Sequence, residues 1–514
     1  MPPRQSRRRY LRAQPIPRGE KKAVQREVCL ELQDQSVVEH SAVKFFGLEG
    51  NRDPYPQAAR LAEQFAQQNR ALFSLMDVRV DGQYDGNDVV LRLTSGDRVG
   101  AIPLYSPTSA APDYGLVVQP RFPWRGIGPM LADMGWRVAP TPLKLPLLHR
   151  SERRVPAWVL SSMILARLQA LLESLTRRFE TTTVLRTAPR GRVQWDRYAH
   201  EQLPCGQFLA VPCTYPDLRD DSILKGAIRY ALEKQLRVLQ TQVGHGAFVH
   251  RLIELCEYLL MKVRVVVPML PPPSTFQQWL QRPMRTTHFL EGLQAIEWTA
   301  DDRGLAGVSD LEGIPWAMPM NEFFEAFVET VLQGVARRLG GQLKVGRRRE
   351  TSQPISWSPP FVGSQRSLVP DLWLEWQDTT LIVDAKYKRH WEELQDWHRQ
   401  PRHVGEIGRG QSWQAIQDQI HEQHRVDLFQ VLAYANLART PRVIVCLSYP
   451  CAASRWRELR EADRLIHQAE IPTGSRSLQL WLTAVPMGLA LADAAVPIEN
   501  AFRRTATGVQ LGMA

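Results

Sequence analysis

The chain has 514 residues, of which 44% are hydrophobic and 23% are charged, and its formal net charge is +11. This composition is typical of a globular protein of about three domains, and it excludes collagen-like and wholly disordered chains. Because no apolar run reaches about 18 residues and the cysteines form no CxxC pair, the sequence predicts a cytoplasmic protein with reduced thiols and no membrane partner.

Most of the positive charge lies at the start of the chain. Residues 1–26 contain nine Lys or Arg residues and one acidic residue. We therefore assign residues 1–27 to a basic, disordered tail. Such a tail either adds sequence-independent affinity for phosphate or serves only as a solubilising extension.

Residues 28–149 have a mainly β pattern. Alternating apolar residues over 89–104, interrupted at Gly96, predict two strands joined by a turn. Residues 115–122 predict a further strand, and residues 55–75 predict a helix. This region is interpreted as a β-rich N-terminal domain.

Residues 150–312 are predicted to form a mainly helical arm. Apolar residues recur at helical spacing over 155–178, 222–242 and 248–263. The only strand predicted in this arm covers residues 190–193.

An amphipathic helix is predicted over residues 321–340, with Asn321 as its N-cap. Its apolar residues form one broad arc, with Glu325 at the edge and Glu322 and Glu329 expected to point toward solvent. Two interpretations of Glu325 remain open. It either reaches over the sheet toward a metal ion or is a solvated glutamate favoured by the helix dipole.

Residues 370–388 carry the most informative pattern in the chain. Two apolar runs, 372–376 and 381–383, flank four polar residues at 377–380. This arrangement predicts a β-hairpin with a four-residue loop.

The register of that hairpin determines which side chains meet. If Trp376 pairs with Leu381, then Asp371 lies opposite Lys386, and Asp384 lies two residues from Lys386 on the same strand. Alternate residues of a strand share a face, and so do directly opposed residues. The three polar side chains are therefore predicted to emerge on one face, unless the register slips by one residue.

Two carboxylates and an ammonium on one face suit a metal-dependent phosphodiesterase. Asp371 and Asp384, with Glu325 as a further candidate, offer the oxygen ligands that Mg²⁺ prefers, with Mn²⁺ as an alternative ion. Lys386 would stabilise the negative charge that develops on the phosphate. The other interpretation is an ordinary hairpin in which Lys386 forms a salt bridge with Asp371 or Asp384.

Basic residues lie on both sides of the hairpin. Arg347, Arg348 and Arg349 precede it, and Lys388 follows it. These residues are candidates for contacts with the DNA backbone, which position a protein without reading bases. The alternative for the arginines is a solvated sheet edge.

A long polar insertion, residues 389–425, follows the hairpin and is interpreted as a flexible loop with a helical stem. A helix is then predicted to begin at Asp427. Gln430 either reaches the active site or completes an N-terminal cap with Asp427. Because the chain contains no GxxxxGK[ST] motif, we expect it to bind no nucleotide itself.

The ordered set of motifs NEFFEAFV, PD, DAKYK, DLFQVLAYA and VIVCLSYP resembles the nuclease domain of the McrC family. GLVVQPRFP and RGRV, earlier in the chain, are weaker McrC-like segments. McrC proteins are endonuclease subunits of modification-dependent restriction systems and have the PD-(D/E)XK nuclease fold. The resemblance implies an α/β protein with this fold at residues 313–514, preceded by a β-rich, partner-facing N-terminal domain and the helical arm.

The resemblance also implies roles for individual residues and a partner. Asp371, Asp384 and Lys386 would be the catalytic set, with Glu325 and Gln430 in support. The partner would be an McrB-like AAA+ GTPase ring, and double-stranded DNA would be the substrate. Two other functions remain open at this point, a non-cleaving adaptor that activates a partner NTPase and a stand-alone DNA-repair nuclease.

Overall fold

A computed structural model describes most of the chain in two compact units. One unit comprises residues 157–303, and the other comprises the described parts of 23–156 and 304–514. The described residues are 28–85, 88–146, 156–175, 178–219, 221–281, 286–301, 304–305, 313–359, 361, 363–388, 413–473 and 476–507. The predicted basic tail at 1–27 and most of the predicted insertion, residues 389–412, lie outside these ranges.

The chain is a mixed α/β protein, as predicted. Its strands are β1 (Val28–Gln33), β2 (Val37–Ser41), β3 (Val78–Asp85), β4 (Asp88–Ser95), β5 (Arg98–Leu104), β6 (Tyr114–Gln119), β7 (Thr141–Pro142), β8 (Arg178–Arg186), β9 (Arg192–Val193), β10 (Val211–Arg219), β11 (Gly304–Leu305), β12 (Gly313–Ile314), β13 (Trp316–Pro319), β14 (Gln342–Val345), β15 (Gln353–Pro354), β16 (Ser367–Leu368), β17 (Leu372–Trp376), β18 (Thr379–Ala385), β19 (Arg442–Ala452), β20 (Ile466–Thr473) and β21 (Arg476–Met487). Its helices are α1 (Ala42–Phe45), α2 (Tyr55–Gln68), α3 (Arg70–Leu75), α4 (Trp124–Asp133), α5 (Ala157–Ser174), α6 (Trp195–Arg197), α7 (Ser222–Gln240), α8 (Ala247–Lys262), α9 (Pro273–Leu280), α10 (Thr287–Ala300), α11 (Met320–Leu339), α12 (Trp413–Ala435), α13 (Ala453–Glu461) and α14 (Leu491–Thr507). None of the described helices combines the length and the apolar character that crossing a membrane requires.

Two sheets form the N-terminal part of the larger unit. The first has five strands in the order β1-β6-β5-β13-β7, and the second has three strands in the order β2-β4-β3. Strands β1 and β6 run parallel, so their C-terminal ends meet at the same edge of the sheet. Strand β13 pairs with β5 and β7, so residues 316–319 belong to the N-terminal sheet although the sequence groups them with the C-terminal region.

A six-stranded mixed sheet carries the C-terminal part of the same unit. Its order is β14-β17-β18-β19-β21-β20, with β18, β19 and β21 parallel to one another. Helix α11 packs against β17 and β18, and helix α12 packs against β18 and β19. The sheet thereby places the predicted catalytic hairpin, β17 and β18, between two long helices.

The smaller unit is mainly helical and confirms the predicted helices α5, α7 and α8. It also contains a three-stranded sheet, β8-β10-β9, of which the sequence predicted only the shortest strand. The described side chains of β8, residues 183–186, are all exposed. Because neither face of this strand is buried there, the apolar alternation that identifies a strand is absent.

Two predicted helix starts were wrong. Helix α11 begins at Met320 after Pro319, and Asn321 lies inside the helix, where its Oδ1 accepts a hydrogen bond from the Glu322 amide at 2.7 Å. Helix α12 begins at Trp413, so Asp427 lies in its interior. The predicted end of α11 was right, since Gly340 adopts the left-handed conformation (φ 70°) that closes a helix and that glycine adopts without strain.

Candidate active site

The hairpin is tighter than predicted. Trp376 pairs with Thr379, and only Gln377 and Asp378 remain in the turn, with Gln377 in the left-handed region at φ 52°. The predicted loop length of four residues was therefore wrong. Thr379 and Thr380 are buried, and as β-branched residues they extend strand β18 instead of joining the loop.

The observed pairing of β17 with β18 differs from the predicted register by two residues, so each side chain stays on its predicted face of the hairpin. Leu372 pairs with Val383, which brings Asp371 opposite Asp384 instead of Lys386. A slip of one residue reverses the faces of a strand, but a slip of two restores them. Asp371, Asp384 and Lys386 therefore still emerge on one face.

That face is the one covered by helix α12. Trp373 of β17 and Ile382 of β18 lie in an apolar cluster with Val431 and Tyr434 of this helix. Since alternate residues share a face, Asp371 and Asp384 lie on the same side as these two sheet residues.

Backbone contacts fix the position of Asp371. Its Oδ2 accepts a hydrogen bond from the Ala385 amide at 2.9 Å, and its carbonyl accepts one from the Gly346 amide at 2.7 Å. The preceding Pro370 carbonyl accepts a hydrogen bond from Thr351 Oγ1 at 2.6 Å. A Cβ on Gly346 would lie 2.3 Å from that carbonyl, so only glycine permits this close approach.

Lys386 joins Asp384 to helix α12. Its Nζ lies 2.7 Å from Asp384 Oδ2 and donates a hydrogen bond to Gln430 Oε1 at 3.0 Å. Gln430 Nε2 in turn donates to the Tyr434 hydroxyl at 2.9 Å. A residue inside α12, Gln430, thus holds the Lys386 ammonium. Because Gln430 and Asp427 both lie inside the helix, they do not form the predicted N-terminal cap.

The carboxylates at this site repel one another. Burial, followed by the negative charges of Asp384 and Glu325, raises the pKa of Asp371 to about 8. Burial lowers the pKa of Lys386, but the charges of Asp384 and Asp371 outweigh this effect and the net shift is upward. A proton or a further cation must therefore relieve the repulsion near neutral pH.

The donor set fits a divalent cation. Asp384 is 1% exposed, and its Oδ2, although paired with Lys386 by charge, accepts no hydrogen bond of favourable geometry from the described residues. When ionised, Asp371, Asp384 and Glu325 carry two more negative charges than Lys386 balances. Mg²⁺ is commonly held by one or two carboxylates, with water and substrate phosphate completing its shell.

Glu325 lies near Asp371 and Asp384 but does not form a set of three metal ligands with them. It is half-buried, and burial raises its pKa, with the Arg347 charge opposing and the charges of Glu329, Glu322 and Asp384 reinforcing the shift. Within the described ranges, no three Asp, Glu, His or Cys side chains converge closely enough to hold one ion together. Glu325 therefore acts on Asp371 through its charge in this structure.

Glu329 does not point toward solvent as predicted, because arginines surround it. It is 2% exposed, and its carboxylate accepts hydrogen bonds from Arg137, from Arg347 at 2.6 Å and from Arg348 at 3.3 Å. A buried carboxylate is stable only when it is paired in this way. Arg137 is distant in sequence, and no local pattern of the chain identifies this partner.

The predicted DNA-contacting residues have different environments. Arg347, Arg348 and Arg349 are exposed, with the first two oriented by Glu329. The ammonium of Lys388 instead lies 2.7 Å from Asp427 Oδ2 and also donates to Oδ1 at 2.8 Å. Its charge is therefore compensated within the protein.

Sequence reasoning missed the residues that contact the segment after Lys386. The Tyr387 hydroxyl donates to Asp34 Oδ2 at 2.6 Å, and the Arg121 guanidinium lies 4.6 Å from the centre of the Tyr387 ring. The local sequence signal for this contact is the PRFP segment that contains Arg121, which by itself is unspecific.

The fold and this site define an α/β protein in which two aspartates and a lysine lie on one face of a hairpin. The family described as McrBC 5-methylcytosine restriction system component matches residues 130–403, which include the hairpin and more than half of the chain. The chain belongs to this family. No functionally curated protein matches it.

Two solved assemblies from Thermococcus gammatolerans are similar to this chain. One is a half-complex from a tetradecameric assembly of McrB AAA+ hexamers with bound McrC, which is 15% identical, with coverage of 94% of this chain and 100% of that chain and a TM-score of 0.39. The other is the cryo-EM structure of the McrBC complex, which is 17% identical, with coverage of 60% of this chain and 88% of that chain and a TM-score of 0.25. At these values the likeness does not define a fold.

Proposed function

We propose that this chain is the Mg²⁺-dependent endonuclease subunit of an McrBC-type restriction system, which cleaves double-stranded DNA together with an AAA+ GTPase ring. Membership of the family supports the restriction system. The observation that supports the nuclease assignment is the charge imbalance on one face of the hairpin, where the buried Asp384 and the half-buried Asp371 face a single ammonium. We assign the C-terminal sheet and its helices to the PD-(D/E)XK fold on the same grounds.

Asp371 and Asp384 would hold the metal ion, with Mn²⁺ as an alternative to Mg²⁺. When bound, the ion supplies positive charge that polarises the scissile phosphate. Glu325 adds negative charge beside Asp371, which raises the pKa of that carboxyl and likewise favours a bound cation there.

Lys386 would act directly on the substrate. Its ammonium, held by Asp384 and Gln430, is positioned to orient the attacking water and to stabilise negative charge on the phosphate. Because Gln430 is neutral, it holds this ammonium without adding a second compensating charge to that of Asp384. The exposed Arg347 and Arg348 would contact the DNA backbone next to the site.

The smaller unit offers a surface for the partner ring. Three large apolar side chains near the three-stranded sheet are strongly exposed, namely Trp195 at 65%, Phe208 at 65% and Leu209 at 74%. Clusters of exposed apolar side chains mark sites of protein association, and we assign this cluster to the contact with the partner ring. Because no P-loop occurs in the chain, nucleotide hydrolysis is assigned to the partner.

The test is cleavage of a plasmid containing 5-methylcytosine by this chain with a candidate AAA+ ring, GTP and Mg²⁺. We expect cutting of the modified plasmid only when all components are present, and complete loss of cutting in EDTA. Stimulated GTP hydrolysis without cutting in Mg²⁺ or Mn²⁺ would replace the proposal with a non-cleaving adaptor. Cutting without any ring would replace it with a stand-alone nuclease.

A further inference from the structure

Three consecutive side chains after β18 alternate in direction. Lys386 contacts Gln430 and Lys388 contacts Asp427, both on helix α12. Tyr387, between them, points the opposite way and is 4% exposed. Its position therefore limits the direction in which Lys386 can point.

Tyr387 is held by residues that directly follow strands of the N-terminal sheet. Its hydroxyl donates to Asp34 Oδ2 at 2.6 Å, and its carbonyl accepts a hydrogen bond from Gln35 Nε2. The Arg121 guanidinium stacks on the ring at 4.6 Å and donates to the Lys388 carbonyl at 3.2 Å. The segment is thus held through the ring, the hydroxyl and two backbone carbonyls.

The sheet itself brings Asp34 and Arg121 together. Asp34 follows β1 and Arg121 lies just after β6, and these strands are parallel neighbours. The Arg121 amide donates to Asp34 Oδ1 at 2.5 Å, and the Asp34 amide donates to the Gln119 carbonyl at 2.9 Å. The side chains of Arg121 and Asp34 are 6% and 0% exposed, so both charges are removed from water. Movement of one partner would leave the other charge buried and unpaired, which is energetically costly. The network is therefore expected to be rigid.

We propose that Asp34, Arg121 and Tyr387 are positioning residues that set the orientation of Lys386 from the N-terminal sheet. The inference rests on the proposed function, because it concerns the placement of the proposed catalytic lysine. It adds that the N-terminal sheet is part of the machinery for cleavage as well as a region predicted to face a partner.

The effect on cleavage follows from geometry. A displacement of about 1 Å at a catalytic group lowers a rate by about a hundredfold. Tyr387→Phe retains the ring and removes the hydrogen bond to Asp34, so partial release of the segment is expected. Arg121→Lys retains the charge but loses the planar group that stacks on Tyr387 while it donates to Lys388.

The test compares these two variants with Asn69→Ala in the full chain. Asn69 is a buried residue of the same unit, and its side-chain amide donates hydrogen bonds to the Phe65 and Tyr105 carbonyls. Among the described residues, its side-chain hydrogen bonds involve no member of the network. Single-turnover plasmid cleavage with the partner ring measures the rate, and DNA affinity without metal is measured separately. Hydrogen exchange of the peptide containing the Lys386 and Lys388 amides reports the local structure, whether or not the chain cleaves DNA.

We expect both network variants to lower the cleavage rate by about tenfold or more, with DNA affinity within about twofold of wild type. The peptide containing Lys386 should exchange faster in these variants only. Asn69→Ala should lower the melting temperature and leave the rate and this peptide unchanged. Wild-type rates and protection in the network variants, or equal losses in Asn69→Ala, would overturn the inference. Failure of the proposed function is a separate result, seen as no cleavage by the wild-type chain.

Discussion

Replacement of Lys386 by methionine is expected to lower the single-turnover cleavage rate by about a thousandfold. Methionine retains most of the side-chain volume and removes the ammonium that contacts Asp384 at 2.7 Å and Gln430 at 3.0 Å. A positive charge in a buried site is worth more than in water, because the surrounding dielectric constant is lower. The measurement is cleavage of modified plasmid by enzyme in excess over DNA, with GTP hydrolysis by the partner ring followed in parallel.

Lys344→Met is the matched control. Lys344 lies on β14 of the same sheet, and its ammonium pairs with Glu375 at 3.0 Å, away from the aspartates. This variant should cleave within about threefold of wild type, because partly exposed ion pairs contribute little. Stimulated GTP hydrolysis should persist in both variants. Equal cleavage by Lys386→Met and wild type would remove Lys386 from the proposed chemistry.

Asp371→Asn is expected to abolish cleavage and, at the same time, to stabilise the metal-free protein at alkaline pH. The pKa of Asp371 is raised to about 8 from an ordinary value of 3.8, by burial and by the charges of Asp384 and Glu325. Between these two values the folded state holds a proton that the unfolded state has released. The free energy of unfolding therefore falls as pH rises through this window.

Asparagine removes that dependence because it has no carboxyl group to ionise. Thermal unfolding in EDTA should show a melting temperature about 3 °C or more above wild type near pH 9, and little gain near pH 5. Asp378→Asn, in the exposed turn of the same hairpin, is the control and should follow the wild-type curve. Parallel curves for wild type and Asp371→Asn would show that the two aspartates do not repel each other as described.

The sequence predicted the hairpin and its polar face because both depend on local patterns. The loop length was wrong by two residues, yet the faces survived, since side chains alternate with period two. The apolar arc of α11 was also readable, and seven of its residues from Phe323 to Val335 are buried as expected: Phe323, Phe324, Phe327, Val328, Val331, Leu332 and Val335.

Contacts between distant segments could not be predicted in the same way. Glu329 was expected in solvent because its helical angle is outside the apolar arc, but Arg137 and two later arginines make its burial stable. Asp427 is of a residue type that often caps helices, but it lies inside α12. Its carboxylate is paired there with the Lys388 ammonium, a contact that no local pattern predicts. The network of Asp34, Arg121 and Tyr387 joins residues more than 260 positions apart, so no periodicity or local motif encodes it.

Asp371 and Asp384 are proposed to bind one divalent cation, and calorimetric titration with Mg²⁺ or Mn²⁺ tests this binding most directly. Wild-type protein should bind one ion per chain, and Asp384→Asn should bind none while unfolding at a temperature close to that of wild type. Equal binding by both proteins, or no binding by the wild type in the presence of DNA, would contradict the account.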